Sequence, residues 1–379
     1  MEFPINKMLN FYCRRKCVRL HMPSHKGNDI NILSDSKDIT ELSFSDNLRC
    51  PSGVIRESEN NYAMLFGCKR AFYLVGGSTL GNTALVYCSK GTILCEKKCH
   101  ISVSNAINFL GKHALTIDNN IVNDIPMPLT LLQIKTAVEQ DSSIGTVLVT
   151  SPNYYGFCAD LKGIYAYLKR KGILLFVDSA HGAHFGLYKK LPYNAVDFCD
   201  SAVESTHKTL TALTQTAVIL TNRLDLEDSL QNAINLFQTT SPSYLLLASI
   251  ENAYGYAKEY GAKNYARLYD GLAEVTADIN KLGFRIVKND DFSRVVLDCS
   301  NLKVSGGEVY RALEKSGVVA EFADTRYVVC IFGVADTQGT LKLLTYYLKK
   351  IDLTNDIQQD KDVVNTDFTE GCFGEEVTK

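Results

Sequence analysis

From about residue 60 the chain alternates short runs that are apolar throughout with longer segments whose apolar residues recur three and four positions apart. Runs at 71–75, 92–95, 114–117, 145–150, 173–178, 196–202 and 216–221 read as strands, and the segments 81–89, 101–110, 128–140 and 161–171 between them as helices. Strands with no polar face are buried on both sides. The pattern therefore predicts an α/β fold with a mostly parallel seven-stranded sheet covered by helices. Right-handed crossovers gather the strand C-terminal ends on one edge, where ligands bind in such folds.

A long helix is predicted from Pro242 to about Leu282, because Tyr244, Leu247, Ala248, Glu251 and Asn252 step at three and four. Beyond it, strands at 295–297, 318–321 and 327–332 and helices at 307–315 and 340–350 suit a small α+β domain. The first 45 residues have little apolar periodicity and read as an arm lying over the rest. The last stretch is rich in Asp and Glu, poor in apolar residues, and expected to be poorly ordered. The expected division is an arm at 1–45, a large domain at 46–270, a small domain at 271–352 and an acidic tail at 353–379.

Composition changes this picture little. The 379 residues include no Trp, with 46% hydrophobic and 22% charged, which is ordinary for a globular protein. A net charge of -2 gives no electrostatic case for nucleic acid or an anionic membrane. No apolar run approaches the ~20 residues of a membrane span. Residues 1–19 lack the apolar segment of a secretory signal, so the 12 cysteines are expected to be reduced thiols in the cytosol. The pairs Cys13/Cys17 and Cys95/Cys99 have no second pair or suitably spaced His, and no metal site is expected from them.

Three stretches carry candidate chemistry. Gly76-Gly77-Ser78-Thr79-Leu80-Gly81-Asn82 follows a predicted strand and opens a predicted helix, so its hydroxyls and amides suit an anion such as phosphate. Asp178 ends an apolar strand and precedes Ser179-Ala180-His181-Gly182-Ala183-His184. A carboxylate there is costly without a partner. It suits a helix cap, a metal site shared with His181 and His184, or the counter-ion of a cationic ring nitrogen. Lys208, in Ser205-Thr206-His207-Lys208-Thr209-Leu210, lies between two predicted strands. Burial lowers a lysine pKa, and a neutral lysine forms an imine with an aldehyde. A phosphate, a ring nitrogen and an aldehyde together describe pyridoxal phosphate.

These motifs resemble the Orn/Lys/Arg decarboxylase family, whose members have the aspartate-aminotransferase-type fold and use pyridoxal phosphate. The resemblance also rests on His21-Met22-Pro23-Ser24-His25-Lys26-Gly27, Asp38-Ile39-Thr40-Glu41-Leu42 and Thr150-Ser151-Pro152-Asn153-Tyr154-Tyr155-Gly156. Leu213-Thr214-Gln215 and Gln238-Thr239-Thr240-Ser241-Pro242-Ser243-Tyr244 complete it. It implies that Lys208 forms the internal aldimine and Asp178 pairs with the ring nitrogen. Gly77, Ser78, Thr79, Ser205 and His207 would hold the phosphate, His100 would stack on the ring, and His181 would lie beside it near Asp178. Lys208, His181 and His100 are the expected catalytic residues.

Thr239 and Thr240 would reach the phosphate of the partner in a homodimer whose active site lies at the interface. The implied activity is decarboxylation of lysine, ornithine or arginine to a polyamine or its precursor. Other pyridoxal-phosphate chemistry, or a regulatory or assembly subunit, are the alternatives. An aminotransferase would need an arginine for the substrate carboxylate, with Arg285, Arg294, Arg311 and Arg326 available. Glu204 or Asp46 would supply the acidic pocket for a basic side chain. Glu204, Arg49 and Ile101 depart from the residues expected of the family, and the resemblance implies a further C-terminal segment where the acidic tail is read here.

Overall fold

The computed structural model describes residues 18–20, 41 and 45–351. Most of the expected arm, including the 21–27 motif, Cys13/Cys17 and all but Glu41 of the 38–42 motif, lies outside the described residues, as does the acidic tail. Seven strands form the main sheet in the order Arg70–Leu74, Ala217–Thr221, Ser201–Glu204, Leu174–Asp178, Ile144–Thr150, Thr92–Glu96, Ala114–Ile117. Only Ala217–Thr221 runs antiparallel to its neighbours.

The side-chain alternation of each strand divides the core in two. Leu174 and Phe176 pack with the helices Gly77–Tyr87, Ile101–Phe109 and Glu227–Phe237 on one face. Leu175 and Val177 pack with Leu131–Gln140 and Leu161–Lys171 on the other. A second sheet of four antiparallel strands follows the order Arg285–Ile286, Arg294–Asp298, Tyr327–Ile331, Phe322–Ala323. The 38-residue helix Tyr244–Lys281 runs between the two sheets. Its Leu247 and Ile250 pack with Tyr62 and Tyr73, and its Leu268, Val275 and Ile279 with the small sheet. Among the described residues no helix is long and apolar enough to cross a membrane.

Several elements differ from expectation. The run at 196–202 is a strand only at its last two residues. Asn194 accepts the Val196 N–H and caps a short 3-10 turn, Ala195–Phe198, and the strand is Ser201–Glu204. An apolar run this short does not distinguish a strand from one helical turn. The helix expected from Gly81 begins at Gly77. The helix Val54–Leu65 falls where no element was expected; Asp46 accepts the backbone N–H groups of Gly53, Ile55 and Arg56 at its start. The strand Val318–Ala320 stays outside the four-stranded sheet and pairs in parallel with Val18–Leu20.

Glu204 is fully buried within its strand. Val203 is in register with Asp178, so alternation puts Glu204 on the opposite face of the sheet. There Asn194 Nδ2 donates to its Oε1 at 2.8 Å. Its other oxygen has no hydrogen-bond partner among the described residues. Burial raises its pKa from 4.5 to about 8, the Asn194 bond opposing this rise and Asp197 adding to it.

Two measurements test this packing. A methyl group at Gly81 would collide with Val203 Cγ2 and crowd Leu74, so Gly81→Ala should lose about 1–3 kcal/mol in a denaturant titration. The second concerns Glu204. The unfolded carboxyl ionises near 4.5 while the folded one keeps its proton to about 8. The stability it contributes is full at low pH and is lost as pH rises through that window. Glu204→Gln keeps the acceptor for Asn194 but does not ionise. Its thermal midpoint should gain on the wild type as pH rises across the same window; a constant difference would mean that the folded carboxyl is already ionised.

Candidate active site

Asp178 ends its strand at 3% exposure. The Ala180 N–H donates to Oδ1 at 3.1 Å, and Asn82 Nδ2 donates to Oδ2 at 2.8 Å. Asn82 stands in the first turns of the Gly77–Tyr87 helix and also donates to Ser102 Oγ at 2.9 Å. The Ser102 hydroxyl lies 2.7 Å from His100 Nδ1, which also accepts the Ser102 N–H at 3.1 Å and so caps the helix Ile101–Phe109. His100 is thereby tied to Asp178 through two side chains. Burial holds its pKa below the ordinary value.

The strand Ser201–Glu204 passes through Ser205 into the one-turn helix Thr206–Thr209, which carries Lys208. Lys208 Nζ lies 3.0 Å from His181 Nε2. On the other side of that imidazole, Arg294 Nη2 lies 2.8 Å from Nδ1. The Tyr154 ring packs on His181 with centroids 4.5 Å apart. Burial lowers the Lys208 pKa to about 8; the Asp178 carboxylate opposes this, Arg294 adds to it and Glu321 opposes it. Burial, then the Lys208 and Arg294 charges, hold His181 well below its ordinary value.

The glycine segment is bound to the lysine segment by a turn. Gly77 sits at φ 70, a backbone region that favours glycine, and donates its N–H to Gln215 O at 2.8 Å. Thr216, the next residue, accepts from Thr206 Oγ1 at 2.7 Å and, through its carbonyl, from His207 Nδ1 at 2.7 Å. Ser78 is buried and Thr79 exposed in the first helical turn, where backbone N–H groups lack intrahelical acceptors. Ser205 Oγ is buried without a hydrogen-bond partner among the described residues. Gln238 accepts the Val75 N–H at 2.9 Å, and Thr240 stands exposed two residues later, in the loop before the long helix.

Two expectations need correction. His184 does not join Asp178: its Nε2 lies 3.2 Å from Asp291 Oδ1 and 3.0 Å from Ser293 Oγ. The metal reading of Asp178, His181 and His184 is therefore not assembled, and no group of three or more His, Cys, Asp or Glu among the described residues is placed to hold a metal. Of the two acidic candidates for the substrate, Glu204 is turned away from the lysine side, on the far face of the sheet, and Asp46 is committed to backbone N–H groups.

Sequence reasoning gave no role in the lysine cluster to Arg294, Tyr154, Asn82 or Glu321. Arg294 begins an apolar strand as Asp178 ends one, the same kind of signal. Glu321, in the bend between Val318–Ala320 and Phe322–Ala323, acts on Lys208 through its charge and left no local signal.

The donor set fits pyridoxal phosphate. An unpartnered buried hydroxyl on the lysine segment, which Gln215 and Thr216 tie to the Gly77–Tyr87 helix start, suits a phosphate; a buried carboxyl suits a cationic ring nitrogen, and a buried amine suits an aldehyde.

Comparison with known proteins agrees with this reading. The profile of the family described as Orn/Lys/Arg decarboxylase, major domain, matches residues 3–285. The uncharacterized protein YaaO of Bacillus subtilis is 30% identical over 356 residues, covering 87% of this chain and 74% of that protein. The arginine decarboxylase of the same organism is 27% identical over 380 residues, covering 92% of this chain and 77% of the enzyme. The constitutive lysine decarboxylase of E. coli superposes with a TM-score of 0.67 at 18% identity over 80% of this chain. The chain spans about half of that structure, 52% of its length. With the fold, the lysine–carboxylate edge and the profile in agreement over most of its length, the chain belongs to the pyridoxal-phosphate-dependent Orn/Lys/Arg decarboxylase family.

Proposed function

We propose that this chain releases carbon dioxide from a basic amino acid, lysine, ornithine or arginine, and leaves the corresponding amine. The observation that carries this reading is the pairing of Lys208 Nζ with His181 Nε2 at 3.0 Å, on the sheet edge where Asn82 holds Asp178 at 2.8 Å. Lys208 is the anchor for the cofactor aldehyde and Asp178 the partner of its ring nitrogen. Ser78, Thr79 and Ser205 hold the phosphate with the amides that follow Gly77, and His207 braces that loop through Thr216. His100, fixed by Ser102, would stack on the ring. Thr240 would reach the same phosphate from the other copy of a homodimer.

When bound, the cofactor accepts the electron pair left on the substrate carbon as carbon dioxide departs. The protein's part is to exclude water, hold the buried Asp178 carboxyl through Ala180 and Asn82, and return a proton to that carbon from Lys208 Nζ or His181 Nε2. Glu321 is the acidic group we assign to the substrate's basic side chain. It is half-buried, and its charge acts on both Lys208 and Arg294.

Incubating the purified protein with lysine, ornithine and arginine separately, and measuring carbon dioxide against keto acid, tests the reaction. Amine and carbon dioxide in equal amounts are expected from one of the three; keto acid instead would mean transamination. Lys208→Ala should lose the visible band of the bound cofactor and more than about a thousandfold in turnover. Glu321→Gln should raise KM for the preferred substrate about 10- to 100-fold, the value of a charged hydrogen bond, while cofactor binding persists. An unchanged KM would remove Glu321 from the pocket.

A further inference from the structure

Arg294 opens the strand Arg294–Asp298 of the small sheet and is 1% exposed. Its Nη2 lies 2.8 Å from His181 Nδ1 and 3.5 Å from the His181 carbonyl oxygen. A guanidinium has N–H donors and no acceptor. His181 Nδ1 must therefore offer its lone pair, and the single proton of the neutral ring sits on Nε2. That N–H faces Lys208 Nζ at 3.0 Å. A hydrogen bond in that direction needs a lone pair on Nζ, which an ammonium lacks.

We propose that Arg294 is a positioning residue: by fixing the His181 tautomer, it biases Lys208 toward the neutral amine that adds to an aldehyde. The proposal rests on the reading of Lys208 as the cofactor anchor. A neutral amine adds its lone pair to the aldehyde carbon, and the condensation releases one water. An ammonium must first give up a proton.

The surroundings set the balance. Asp178 and Glu321 favour a charged lysine, while burial and Arg294 oppose it. The other groups facing His181 are Lys208, Arg294, His100 and His207, all of which disfavour a second proton on the ring. Asp291 Oδ2 stands 3.8 Å from Arg294 Nε and keeps the guanidinium company, though not as a hydrogen-bond acceptor.

The tautomer is read directly by nitrogen NMR of the cofactor-free protein labelled at histidine, with His181→Gln identifying the signals. A proton on Nε2 and a bare Nδ1 at neutral pH is the expected result; a proton on Nδ1 overturns the proposal and needs no variant. The second readout is the rate at which the cofactor-free protein takes up pyridoxal phosphate, followed by visible absorbance across pH. In Arg294→Met the midpoint of that profile should rise, and uptake at neutral pH should slow about tenfold for every pH unit by which the midpoint moves. Arg294→Lys, which keeps a donor and the charge, should stay near the wild type. An unmoved midpoint in a folded Arg294→Met overturns the proposal. Failure of the functional reading shows differently, as uptake that Lys208→Ala leaves intact.

Discussion

A carboxylate held out of water at the end of an apolar strand constrains everything around it. Asp178 receives one backbone N–H and one side-chain amide, and without them its burial would be prohibitive. The amide comes from Asn82, so the Gly77–Tyr87 helix must lie close on the sheet. Gly81 permits that approach, because the space a side chain would need is taken by Val203 and Leu74. The same amide engages Ser102, and Ser102 sets the His100 ring. One buried charge thus dictates the seating of a helix, the cap of the next helix and the orientation of an imidazole.

The lysine side of the edge is assembled from two sheets. Lys208 and His181 stand in segments that follow strands of the large one, and Arg294 begins a strand of the small one. Their relative placement is set by the Tyr244–Lys281 helix, whose 38 residues extend about 57 Å and pack against both cores. The amine and the guanidinium sit on either side of one imidazole, so a small displacement between the sheets would break the bond to Nδ1 before it disturbed either core.

Much of this was legible in the sequence where chemistry and periodicity coincide. Leu174-Leu175-Phe176-Val177-Asp178 announces both a buried strand and a charge at its end, and the structure keeps both. Ser201–Glu204 was misplaced because Ala195, Val196 and Phe198 supply the same apolar signal while forming a helical turn. Glu204 looked like a pocket residue beside Ser205, yet a strand sends neighbouring side chains to opposite faces. Arg294 was noticed as a cation but not as a partner of His181, since 113 residues separate them and no local pattern encodes a tertiary contact. The partner of the apolar run at Val318 was beyond reach for the same reason.

That partner bears on how the chain reaches its native form. Val18 is in register with Val318, and Leu20 with Ala320. During synthesis the first of these strands emerges long before its mate exists. Its unpaired N–H and C=O groups must stay with water, or with a chaperone, until residues 318–320 have left the ribosome. The ladder is then closed across a loop of 300 residues, 18 to 318, which makes it a late and slow step of assembly.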